Sequence, residues 1–179
     1  MWLERHSGKL ALLAIAVFAA TAAIDKALFT VTPLEIPPPD AHTFGISEET
    51  LGFWLEAMKG ERATQFLLLH TFTFDLVLPA LIVAALVGWT LRFANRLPRF
   101  AAMAAGWKLA LVLLPPLLYA VSDWSENALT AVLLLEKAAA GSQIGGLLAA
   151  STTLKFTFLI LALIILLAAY LAARRSNKI

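Results

Sequence analysis

The chain has 179 residues, 60% of them hydrophobic and 15% charged, and a mean hydropathy of +0.81; soluble globular domains carry about 25% charged residues, so a soluble globule is excluded. The net charge of +2 comes without any interleaving of basic and aromatic residues, which leaves no nucleic-acid surface. The absence of cysteine removes disulfides, thiolate zinc sites and cysteine nucleophiles.

In chain order, the first apolar run covers about residues 10–34 and follows the basic stretch around Arg5, His6 and Lys9. A cleavable signal peptide is one reading, with Ala20-Thr21-Ala22 as the small-residue site. A retained helix is preferred, because apolar residues resume after Asp25-Lys26 as ALFTVTPL and give enough length to span a bilayer, until Pro37-Pro38-Pro39 stop it. A polar, acidic segment follows, and residues 47–59 within it read as a short amphipathic helix. Ser47 is its N-cap, Glu48 and Glu49 suit its first turn, Gly60 ends it, and Leu51, Trp54, Leu55 and Met58 share one face. That helix is expected at the bilayer surface as an anchor, or over the bundle mouth as a lid.

The second span is expected over about 63–91 and carries His70, Asp75 and Pro79; proline removes the bond to the carbonyl of Asp75, so a kink is expected beside that carboxylate. The third covers about 109–135, with Pro115-Pro116 marking another kink. The fourth covers about 147–173. Arg5, Lys9, Arg92, Arg96, Arg99, Lys108, Arg174, Arg175 and Lys178 fall on one side of these spans, while the other holds Lys59, Arg62 and Lys137 with seven acids. By the positive-inside rule both termini are cytoplasmic. The expected fold class is therefore all-α integral membrane: a four-transmembrane-helix bundle with a short amphipathic helix in the first outer loop.

The third span contains the strongest functional signal. Asp123, Glu126 and Asn127 stand at i, i+3 and i+4, so they form one helical stripe, extended by Tyr119 and Thr130. Ionisable groups at membrane depth are costly unless they face a bundle interior, pair or meet water. Counting helical rise from the outer ends puts Asp25, Asp75, Asp123, Glu126, Asn127 and Lys155 in one outer-half layer, a pocket to which all four spans contribute. Thr152 lies one turn from Lys155 on the same face. Four carboxylates then face at most two lysines, an excess relieved by protonation, water or a bound cation. His70 stands five residues from Asp75, about 140° around an α-helix, so it is expected at the pocket edge at most. No H-x-x-x-H or E-x-x-H spacing occurs, so no metal is expected, and no cofactor is implied.

FDLVLP in the second span, SDWSEN in the third, TTLK opening the fourth and ISEETL with GERA in the outer loop resemble a family of small four-span bacterial membrane proteins of unassigned activity. The resemblance implies a four-helix fold in a bacterial cytoplasmic membrane, with Asp75, Asp123, Glu126, Asn127 and Lys155 as the matching positions, and it supplies no substrate. Three functions remain open. The favoured one is a binding or transport module whose outward-facing acidic pocket takes a cation, a proton or a small amphipathic ligand. The second is a structural or accessory membrane subunit whose polar cluster only fixes helix packing. The third is an intramembrane enzyme acting on a lipid or isoprenoid through paired carboxylates, against which stands the lack of a nucleophile elbow or H-E-x-x-H. Beyond the bilayer, the sequence names no protein partner.

Overall fold

An apolar segment withdrawn from water must satisfy its backbone polar groups internally, and a helix does so within one segment. The computed structural model, which describes residues 2–176, follows that rule: the chain is all-helical, with no strand among the described residues. We number the helices α1 (Trp2–Phe29), α2 (Glu48–Ala57), α3 (Glu61–Ala94), α4 (Pro98–Ala101), α5 (Ala105–Val112), α6 (Leu114–Glu136) and α7 (Gln143–Ser176). Three of them, α1, α3 and α7, are long and apolar enough to cross a membrane; α5 and α6, bent by 43° at Leu113, make a fourth if the pair is one span. Pro115 and Pro116 lie in the first turn of α6, where a missing N–H costs no helical bond, so the expected kink is a break placed before them. Pro79, by contrast, sits inside a helix that continues from Asp75 to Ala94.

The boundaries of the first span differ from the expectation. Its helix begins at Trp2, so the basic stretch lies within it, and it ends at Phe29 rather than near residue 34. Thr30 stops it by returning both its N–H (2.8 Å) and its hydroxyl (3.1 Å) to the carbonyl of Asp25, and Pro33 cannot resume it. At the other terminus, Lys178 lies outside the described residues.

Helix α3 is central: α1 packs along it, α6 and α7 pack along each other and both touch it, while α1 makes no extended contact with α6 or α7. Ser7, Ala11 and Ala14 form the buried face of α1, small residues that allow close helix approach. Opposite them, a Cβ added to Gly88 would stand 2.6 Å from the Leu3 carbonyl oxygen and 2.9 Å from Ser7 Cβ. Gly88→Ala is therefore expected to lower stability by about 1–3 kcal/mol through overpacking. Gly106→Ala, where a Cβ meets nothing within 4 Å, should be neutral or slightly stabilising. Thermal unfolding of the two variants in one detergent checks the contrast. The lipid-type exterior is clear on both flanks: Leu12 and Ile15 of α1 and Ile164 and Leu167 of α7 are exposed.

The two ends of the bundle are closed differently. At the basic end, Val87, Ala94, Phe100 and Val112 form a cluster under the α3–α5 connection, and Asn95 donates to Glu4 at 2.5 Å. At the acidic end, α2 lies across the mouth. Ser47 caps it, accepting from the Thr50 N–H at 3.1 Å, and Gly60, at φ +66, a conformation favouring glycine, turns the chain into α3. The apolar face of α2 is satisfied by protein: Leu51, Trp54 and Met58 are buried, against Phe29 and Phe66 on one side and Leu133 and Leu148 on the other. The helix thus covers the mouth rather than presenting that face outward.

Candidate functional site

Two wide turns aim the first group of polar side chains. Residues Asp25–Phe29 of α1 and Leu67–Phe74 of α3 are π-helical, with i→i+5 hydrogen bonds. The Asp75 N–H bonds the His70 carbonyl, so residues five apart share a face there. The angular separation expected of a regular α-helix consequently does not hold: His70 Nε2 lies 3.0 Å from Asp75 Oδ2. The other ring nitrogen, Nδ1, is 2.7 Å from Asp25 Oδ1. His70 is only 1% exposed, and its ring stacks on Phe66 at 4.5 Å between centroids. Phe66 is in turn held edge-on by Phe29 and Trp54, whose Nε1 donates to the Phe29 carbonyl at 3.2 Å. The covering helix therefore fixes the histidine through one aromatic layer.

The second group joins α6 to α7. Lys155 Nζ is 2.5 Å from Glu126 Oε2 and 3.3 Å from Asp123 Oδ1, and the Thr152 hydroxyl donates to Glu126 Oε1 at 2.5 Å. All four side chains are buried. Asn127 is buried on the same α6 stripe, beside Asp75. Tyr119 is buried one turn from Asp123 on the other side, and Thr130 is buried on α6 beyond Glu126.

One residue bridges the two groups, and it was not among the expected ones. Asp40 lies in a 3₁₀ turn directly after the proline run. Its backbone carbonyl accepts from Lys155 Nζ at 3.3 Å, and its carboxylate Oδ2 stands 3.6 Å from His70 Nε2. Pro38 and Pro39 are fully buried, so the run that reads as a helix stop also inserts the following carboxylate into the bundle. The only sequence signal for Asp40 is that adjacency.

Around these groups is a cavity of about 730 Å³ in the gap between α1 and α7. Asp25, Asp40, Asp75, Asp123, Tyr119 and Lys155 line its polar end, and Phe18, Leu78, Ile82, Phe156 and Leu159 line its apolar walls. Of the expected pocket residues, Glu126, Asn127, Thr130, Thr152 and His70 do not line it; they stand behind the lining as its supporting layer. Asp123 Oδ2 is buried without a hydrogen-bond partner at this wall, and Asp40 Oδ1 likewise. Comparison with protein-family models, curated proteins and solved structures finds no match for the chain.

Proposed function

We propose that the chain is a four-span integral membrane protein, counting α5 and α6 as one broken span, that binds a small amphipathic cation in an intramembrane pocket near its acidic end. The charge asymmetry supports cytoplasmic termini and an outward acidic end, and the motif resemblance supports a bacterial cytoplasmic membrane. The observation that carries the binding reading is the division of the cavity. One end is carboxylate-rich, the walls are aromatic and aliphatic, and the volume is in the range of small-molecule sites. Asp25, Asp40, Asp75 and Asp123 line that end with Lys155 as its one buried lysine among the described residues and Lys26 exposed, so a positively charged head group fits that end and an anionic one does not. An apolar tail fits the gap between α1 and α7.

The test is titration of the protein in nanodiscs with a dansylated alkylammonium and with the alkyl sulfonate of equal chain length. Saturable fluorescence is expected for the amine alone. Asp123→Asn, which keeps shape and removes charge, is expected to weaken it about tenfold, the value of a charged hydrogen bond at about 1.5 kcal/mol. Equal binding of amine and sulfonate, or unchanged affinity in Asp123→Asn, overturns the reading.

A structural role is favoured for one part of the cluster only. Glu126 has both oxygens engaged, by Lys155 and Thr152, which is how a residue pinning α6 to α7 is arranged. Asp123 and Asp40, each with a buried oxygen left unengaged at the cavity wall, are not arranged in that way.

A further inference from the structure

The corner formed by Asp25, Asp40, His70 and Asp75 has a geometry that a cationic head group does not require. Asp25, Asp40 and His70 come from α1, the proline-rich loop and α3, and they present ligand atoms all within 4.8 Å of one another. His70 Nδ1 is held at 2.7 Å by Asp25. Nε2, on the opposite edge, stands 3.0 Å from Asp75 Oδ2 and 3.6 Å from Asp40 Oδ2. Neither Nε2 nor Asp75 Oδ2 has a hydrogen-bond partner, although both side chains are more than nine-tenths buried. The two atoms make a charged contact at 3.0 Å that is not aligned as a hydrogen bond, so each keeps capacity for a further partner.

We propose that this corner binds a divalent transition-metal ion, through His70 Nε2 with Asp40 and Asp75, while Asp25 orients the imidazole from its other nitrogen. Ligand atoms about 2.0–2.1 Å from a tetrahedral ion lie about 3.3 Å apart, between the 3.0 Å and 3.6 Å that separate Nε2 from Asp75 Oδ2 and from Asp40 Oδ2. A carboxylate holding the second nitrogen of a ligating histidine is the usual supporting arrangement at such sites. One imidazole among carboxylates suits zinc or manganese better than magnesium, which keeps its waters and prefers oxygen alone. The ion also offsets two of the excess negative charges, leaving the Asp123 and Lys155 side of the cavity to another occupant. The sequence hides the site because its ligands share no short spacing: Asp40 stands thirty positions before His70, and His70 and Asp75, five positions apart, share a face only in a π-helix. This site rests on the corner's own geometry and does not depend on the amphipathic-cation reading.

The experiment uses the whole protein in detergent, stripped by a chelator and titrated with zinc alone against a fluorescent chelator. One zinc per chain is expected, with magnesium unable to displace it. His70→Ala and, separately, Asp40→Asn are each expected to lower affinity at least about tenfold. Asp40 lies outside the membrane-length helices, so its variant reports on the site even if the His70 variant fails to fold. Cobalt in place of zinc is expected to give a visible absorption band that is lost in Asp40→Asn. Absence of stoichiometric zinc, or zinc binding that survives Asp40→Asn unchanged and so belongs to His6 or His42, overturns the proposal. Zinc binding without alkylammonium binding leaves this site standing and sinks the reading of the larger cavity.

Discussion

Lys155→Ala is expected to destabilise the protein by about 3–5 kcal/mol, the cost of leaving buried charges without their counter-ion. Lys155 lies between two carboxylates from α6, Glu126 at 2.5 Å and Asp123 at 3.3 Å, and holds the loop through the Asp40 carbonyl. Removing it strands both buried acids without the lysine that pairs with them, and Lys26, which lines the same cavity, is exposed and makes no ion pair with either. The loss follows from stranding and not from the absence of an attractive pair, which gives the prediction a second half. Lys155→Met combined with Asp123→Asn and Glu126→Gln removes all three charges while keeping volume and hydrogen-bonding capacity at Thr152, and is expected to recover most of the loss. Denaturation of the purified protein in mixed micelles, followed by circular dichroism, measures both. If the triple variant is as unstable as Lys155→Ala, the charges themselves contribute to the packing of α6 on α7.

Trp54→Ala is expected to cost about 3–5 kcal/mol as well, by a different route. Trp54 is fully buried beneath the covering helix, packs edge-on against Phe66 and donates its indole N–H to Phe29. Truncation opens a cavity, orphans the Phe29 carbonyl and removes one wall of the aromatic layer on which His70 stacks. Trp54→Phe keeps most of the apolar volume and loses the hydrogen bond, so it should cost only about 1–1.5 kcal/mol. Limited proteolysis of the segment between Pro33 and Gly60 is the sharper readout. Cleavage there should rise strongly in Trp54→Ala while the helical signal of α3 and α7 is retained; equal protection in both variants would show that α2 is held by Leu51 and Met58 without the tryptophan.

Much of this architecture is legible in the residues themselves, because long apolar runs, capping residues and a stripe at i, i+3 and i+4 depend on local chemistry. Ser47, the turn at Gly60, and the burial of Asp123, Glu126 and Asn127 are of that kind. What escapes is decided by departures from the regular helix. A period of 3.6 residues puts His70 and Asp75 on different faces, and only the wide turns of α3 bring them together. Asp40 is invisible for another reason: a loop carboxylate is ordinarily solvated, and nothing in its own sequence says that Pro38 and Pro39 will be buried. The destination of the α2 apolar face is ambiguous in principle, since lipid and a bundle mouth ask for the same amphipathic pattern.

The gap between α1 and α7 bears on how affinity for the cavity is to be expressed. On the proposed membrane placement, a molecule that enters between these two helices is drawn from the bilayer, not from water, so the relevant concentration is molecules per lipid. Each methylene added to such a molecule raises its membrane concentration about fourfold, at about 0.8 kcal/mol. Apparent affinities referred to the aqueous phase should therefore climb steadily with chain length even where no contact inside the cavity has changed. Only mole-fraction units separate partitioning from recognition.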